Sequence, residues 1–179
     1  MAGLPIKFFI RMCAISDAKK FHVHLYKNLI IMARIRITRK FNFEMAHALW
    51  NYKGACKGIH GHSYKLFVTV TGIPESDNTS AKYGMVMDFG DLKKIVEENV
   101  INVFDHTVLL YSEASTCFES MGKLLENKII IPYQPTCENM VTDFAARIKG
   151  KLPDHVELHS LRLYETSTSY AEWYASDNL

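Results

Sequence analysis

From Ala33 to Leu49 polar and apolar residues alternate. Arg34, Arg36, Thr38 and Lys40 interleave with Ile35 and Ile37, and Phe41, Phe43, Met45 and His47 continue the apolar parity. A period of two is the mark of a half-buried strand, and here it carries His47 onto the apolar side. Ser63 to Gly72 alternates in the same way and is rich in β-branched and aromatic residues, which predicts a second strand from His60 to Gly72. Gly54 and Gly58 mark the loop between the two strands. The polar stretch from Pro74 to Tyr83 reads as a loop, and Met85 to Met87 as a short strand end. Leu92, Ile95, Val96 and Val100 form one stripe at helical spacing. They predict a helix from Asp91 to Val103, opened by Asp88 or Gly90 and closed at Phe104-Asp105-His106. Ser112 to Asn127 reads as helical in part, and Lys128 to Tyr133 as a short strand. Thr136 is the expected N-cap of a helix with Glu138 in its first turn, running to about Leu152 and stopping at Pro153. Val156 to Thr166 and Tyr170 to Ala175 predict a closing hairpin.

This order predicts an α+β domain, with an antiparallel four-stranded sheet and its helices on one face. Such a sheet has open edges, and closing them between subunits into an oligomeric barrel removes that liability. The domain is expected to span 32–179. Residues 1–31 are basic and apolar and read as an appendage outside the fold. Their apolar runs fall short of the roughly 20 residues that span a bilayer.

Composition narrows the classes of function. The chain has 179 residues, 48% of them hydrophobic, enough for one domain with a real core. A net charge of +2, without basic runs interleaved with aromatics, makes no case for nucleic acid. Cys13, Cys56, Cys117 and Cys137 are scattered without a C-x-x-C, so a reducing cytoplasm is the expected location.

The candidate chemistry centres on His60-Gly61-His62. Residues two apart on a strand point to one side, so both imidazoles aim at one point, and His47 joins them by parity. Three neutral nitrogens with an open fourth position is the arrangement of a catalytic zinc. The decoy pair His22-Val23-His24 has no comparable surroundings and is assigned no site. Cys56 has two readings: a fourth ligand closing a structural zinc site, or a nucleophile or base beside the metal. Asp105-His106 offers a carboxylate that orients an imidazole and an imidazole that relays a proton. Taken alone, the dipeptide also suits a helix end. Glu165 shares a strand face with Leu161 and Leu163 and therefore needs a partner. That partner is either a basic residue such as Arg162 or Lys65, or the paired N–H groups of a flat heterocycle. Thr136, Cys137 and Glu138 lie at a helix N-terminus, where free N–H groups serve either as a plain cap or as a ligand cradle.

Six stretches together resemble the 6-pyruvoyl-tetrahydropterin synthase / 6-carboxy-tetrahydropterin synthase family. They are Phe41 to His47, Cys56 to Tyr64, Gly84 to Phe89, Phe104 to His106, Pro135 to Asn139 and Tyr164 to Thr166. The resemblance implies the tunnelling fold, in which three subunits share a barrel and two trimers stack as a hexamer. It implies 7,8-dihydroneopterin triphosphate as substrate and zinc as cofactor on His47, His60 and His62. Cys56 would move protons at the substrate side chain; the resemblance implies sites at subunit interfaces, where Asp105 and His106 would activate the cysteine of a neighbouring chain. Glu165 would anchor the pterin, helped by Thr136, Cys137 and Glu138. The short gap between Cys56 and His60 resembles the bacterial carboxy branch of queuosine synthesis; the pyruvoyl branch usually has a longer gap. A third variant carries glutamate in place of the cysteine, and Cys56 sets this chain apart from it. The alternative outside enzymes is a zinc-stabilised binding module with Cys56 as fourth ligand.

Overall fold

The computed structural model describes residues 33–179, so the appendage and the His22-Val23-His24 pair lie outside the described residues. The elements are β1 (Ile35–His47), β2 (His60–Gly72), α1 (Phe89–Val96), β3 (Thr107–Tyr111), β4 (Lys128–Ile131), α2 (Cys137–Lys149), β5 (Val156–Tyr164) and β6 (Tyr170–Tyr174). A π-helical turn, Glu97–Ile101, and a last turn, Asn102–Phe104, continue α1. The Asp88 side chain caps α1 by accepting from Gly90 N–H, and Thr136 caps α2 by accepting from Asn139 N–H.

The strands form one six-stranded sheet in the order β4-β3-β1-β2-β5-β6. β1, β2, β5 and β6 pair antiparallel, as their patterning predicts, with β5 and β6 as the closing hairpin. The sheet differs from the expected four antiparallel strands at its other end. There β3 runs parallel to the last residues of β1, Met45 to His47, and β4 runs parallel to β3. Val108-Leu109-Leu110-Tyr111 is a continuous apolar run behind Thr107, and a strand in a parallel pair does not alternate, so the period of two is missing from it. The expected strand end at Met85 to Met87 does not form. Val86 and Met87 are buried from a bend, and the Met85 carbonyl accepts only from Glu75 N–H in the preceding loop. The stretch after β3 folds as short helical turns, Ser112–Ala114, Ser115–Phe118 and Glu119–Leu125.

One core joins the sheet to both helices. Phe41, Phe43 and Met45 of β1 and Tyr64, Leu66, Val68 and Val70 of β2 are buried against Leu92, Val96, Met140, Phe144 and Ile148. The intervening positions, including Thr38, Lys40, Asn42 and Lys65, are exposed on the other side. At ~25 cal/mol per Å² of apolar surface removed from water, this burial is what fixes the register of the hairpin. Among the described residues no helix is long and apolar enough to cross a membrane.

Candidate metal centre and its surroundings

The register of the first hairpin assembles the histidines. His47 pairs directly with His60, and Met45 with His62, all on the covered face. The rings close on one another, with centroids 4.6 Å apart for His47–His60, 5.2 Å for His47–His62 and 4.9 Å for His60–His62. Their base is aromatic. Tyr64 meets His47 and His62 edge-on and stacks on Phe43, which meets Phe144, which in turn meets Phe104. A rigid hydrophobic support of this kind keeps a ligand set in place.

Hydrogen bonds on the far side of two rings set their tautomers. His47 Nδ1 lies 2.7 Å from the Pro135 carbonyl, and His60 Nδ1 lies 2.8 Å from the Gly58 carbonyl. A carbonyl only accepts, so both rings donate through Nδ1 and both Nε2 atoms carry lone pairs. Those two Nε2 atoms face each other at 3.1 Å. His62 Nε2 is buried with no hydrogen-bond partner. Burial holds the pKa of His47 and of His62 below the ordinary value, so a shared proton is a poor remedy for this cluster. A cation is the fitting one. The ligand atoms of the three histidines lie within 4.8 Å of one another, spacing that could hold a metal ion. Among the described residues Cys56 is not part of that group.

Glu165 follows β5 and comes to the same place, with Oε1 3.5 Å from His47 Nε2. It is not neutralised by Arg162, which pairs with Glu172 at 2.7 Å on the other side of the strand. The carboxylate is a quarter exposed, open enough to meet a ligand. Beneath it the Tyr64 hydroxyl is fully buried without a bond of ordinary geometry. Burial first, then the charge of Glu165, pushes its pKa up, so it stays a neutral donor. Cys137 is buried, and its thiol donates to the Leu163 carbonyl at 3.2 Å; burial pushes its pKa up to about 12. Its side chain is thus committed to packing. Glu138 is exposed beside it.

Cys56 sits half-buried in the turn Ala55–Lys57 of the β1–β2 loop. Asp105 and His106 stand elsewhere. Asp105 Oδ1 accepts from Glu44 N–H at 2.9 Å and lies 3.0 Å from His106 Nδ1. The Glu44 bond, and then His106, hold the Asp105 carboxyl below its usual range. His106 N–H donates to the Glu44 carbonyl at 2.7 Å, and the residue adopts a left-handed φ of 59°. Its ring is exposed and lines a cavity of about 570 Å³ together with Glu44, Met45, Gly61, His62 and Ser63. Glu44, Gly61 and Ser63 are exposed positions of the uncovered face, and Met45 and His62 border the same cavity. Cys56 and His106 form no hydrogen bond within the described residues.

Sequence reasoning missed the residues that orient this set. Gly58 and Pro135 act through their carbonyls, which any residue type supplies. Gln134 and Tyr64 lie beside recognised motifs, and only the register shows what they face.

The chain is 32% identical over 142 residues to a 6-carboxy-5,6,7,8-tetrahydropterin synthase of Haemophilus influenzae, covering 77% of this chain and 97% of that protein. It is 33% identical over 140 residues to the protein of the same name from Synechocystis, covering 78% and 92%. The fold is shared with a 6-pyruvoyl tetrahydropterin synthase of Caenorhabditis elegans at a TM-score of 0.57 and 23% identity, over 80% of this chain and 97% of that one. The family model of 6-pyruvoyl tetrahydropterin synthase matches residues 36–176, and the chain belongs to that family.

Proposed function

We propose that this chain is a zinc-dependent lyase that converts 7,8-dihydroneopterin triphosphate to 6-carboxy-5,6,7,8-tetrahydropterin, releasing acetaldehyde and triphosphate, in queuosine synthesis. The observation that carries the reading is the convergence of three histidine nitrogens, two of them with tautomers fixed by carbonyls and one buried without a partner. His47, His60 and His62 would hold the zinc. When bound, zinc supplies a Lewis acid for the hydroxyl oxygens of the substrate side chain.

The protein's own groups do the rest. Glu165 accepts from the paired N–H groups of the pterin ring and fixes its orientation at the mouth of the site. The free N–H groups of the α2 N-terminus, at Cys137 and Glu138 behind the Thr136 cap, add polar contacts to the ring. Cys56 takes and returns protons at the side-chain carbons. Asp105 orients His106, which exchanges the proton with the thiol. Because His106 faces the uncovered side of the sheet, it serves the Cys56 of a neighbouring chain.

Assembly supplies that neighbour. β3 pairs only with Met45 to His47 of β1 and Glu44 is taken by Asp105 and His106, so among the described residues the edge from Ile35 to Phe43 has no strand beside it and can pair with a strand of another copy. The reading is a cytoplasmic hexamer, a dimer of trimers, each trimer closing its sheets into one barrel. The relatives named for the carboxy product, and the short Cys56-to-His60 gap, favour that product over the pyruvoyl one. Incubation with dihydroneopterin triphosphate and mass identification of the product tests this. The carboxy product with trapped acetaldehyde is expected. A product keeping all three side-chain carbons would assign the pyruvoyl reaction instead, and no conversion would refute both.

A further inference from the structure

Cys56 and the three histidines stand on different pieces of chain, and their separation has to be fixed by something between them. Two sets of bonds hold the loop that carries Cys56. From inside, Leu49 N–H donates to the Cys56 carbonyl at 3.1 Å. From outside, the side-chain amide of Gln134 grips the backbone of Trp50 in both directions. Trp50 N–H donates to Gln134 Oε1 at 3.0 Å, and Gln134 Nε2 donates to the Trp50 carbonyl at 2.7 Å. An amide side chain carries both a donor and an acceptor, so one residue does here what a neighbouring strand would do.

The backbone of the same residue faces the metal centre. The Gln134 carbonyl accepts from Thr136 N–H at 2.8 Å, closing a three-residue turn with Pro135 at its middle. The fixed φ of proline suits that position. The Gln134 carbonyl also accepts from Asn139 Nδ2 at 2.9 Å, which ties the turn to the first turn of α2. The turn presents the Pro135 carbonyl to His47 Nδ1 at 2.7 Å. Gln134 therefore holds the thiol loop by its side chain, and by its backbone the turn that orients a histidine.

We propose that Gln134 is a positioning residue that fixes Cys56 relative to the metal centre, acting through Trp50 on one side and Pro135 on the other. This rests on the reading of Cys56 as the proton-transferring thiol. Gln134 touches none of the three histidines, and its removal leaves the Pro135 carbonyl in the chain. Losing the clamp should therefore spare metal binding and disturb the thiol.

The test uses the full chain with zinc alone as the added metal. Gln134→Met keeps the volume of the side chain and removes both bonds to Trp50. It should take up zinc at the wild-type stoichiometry. Its Cys56 should react with iodoacetamide, followed at its own peptide, at a rate changed by about three-fold or more. Its kcat should fall by about ten-fold or more while KM moves less than about two-fold, since a small misplacement of a reacting group is costly. Gln134→Ala should behave like Gln134→Met, because the amide and not the volume is what matters. Wild-type alkylation and kcat in Gln134→Met would overturn the proposal, and so would zinc lost in step with kcat. Failure of the wild-type chain to convert the pterin triphosphate would refute the proposed function, while the alkylation rates still decide the role of Gln134.

Discussion

The two faces of the β1–β2 hairpin carry two clusters of titratable groups, finished to different degrees within a single chain. On the covered face His47, His60 and His62 converge over an aromatic base, with Glu165 beside them. On the uncovered face Asp105 and His106 form an oriented pair whose imidazole is 77% exposed and bonded to no thiol. The histidine cluster is thus a property of the chain, because the register of one hairpin brings its three rings together. Asp105 and His106 are held instead through the backbone of Glu44, and under the proposed function they complete a site only with a neighbouring chain.

The largest expected effect breaks the covered face. His60→Ala should lower zinc from one per chain to near zero and abolish turnover, while a chain beginning at Met32 keeps both. Metal analysis reads this directly. Full zinc in His60→Ala, or lost zinc in the shortened chain, would contradict the assignment and reopen His22 and His24.

Breaking the uncovered face should leave the metal alone. His106→Ala is expected to keep wild-type zinc and lose roughly 10²–10⁴-fold in kcat, the usual contribution of a general acid–base group. Cys56→Ala should do the same. Zinc and stability lost together in Cys56→Ala would instead mark the thiol as a fourth ligand of a structural site.

Acid should separate the faces by degree. Burial holds His47 and His62 below the ordinary value of 6.5, so the unfolded chain takes up their protons first as pH falls. Stability of the metal-free protein is then fully present above about pH 6.5 and is lost as pH drops from there through the folded-state values. Asp105, also held low, adds its loss only in the carboxylate range. Denaturant midpoints across pH 4 to 8 check this; a midpoint unchanged between about pH 7 and 5 would remove the buried histidines from the account.

The smallest effect concerns the base of the site. The Tyr64 hydroxyl is buried without an ordinary hydrogen bond, so Tyr64→Phe should leave stability unchanged or raise it by about 1 kcal/mol, with zinc retained. A clear loss of stability would show that the hydroxyl already has a partner, Glu165 being the nearest candidate.

Much of this was legible in the sequence because strands with one buried face write their register into alternation. Phe41, Phe43, Met45 and His47 are all buried, as their parity predicts, and the H-x-H lies opposite His47. The Thr136 cap and the Asp88 cap are equally local and equally readable. What was not legible depends on partners distant in sequence. β3 is an apolar run of five residues, too short to show a period, and its parallel pairing brings together strands far apart in the chain. The Pro135–His47 and Gln134–Trp50 bonds each span more than eighty residues. Nor was it legible that the Cys137 side chain faces the Leu163 carbonyl inside the core; its expected role rests on the backbone N–H groups of the helix N-terminus.

The central claim is that one working site draws Cys56 from one chain and His106 from another. Co-expressed and purified mixed oligomers of Cys56→Ala and His106→Ala test it most directly, because each variant alone is inactive. If the two groups meet across an interface, the mixed oligomers regain part of the wild-type turnover, since some interfaces pair an intact Cys56 with an intact His106. If both groups act within one chain, verified mixed oligomers remain as inactive as the parents, and the division of the chemistry between the two faces is wrong.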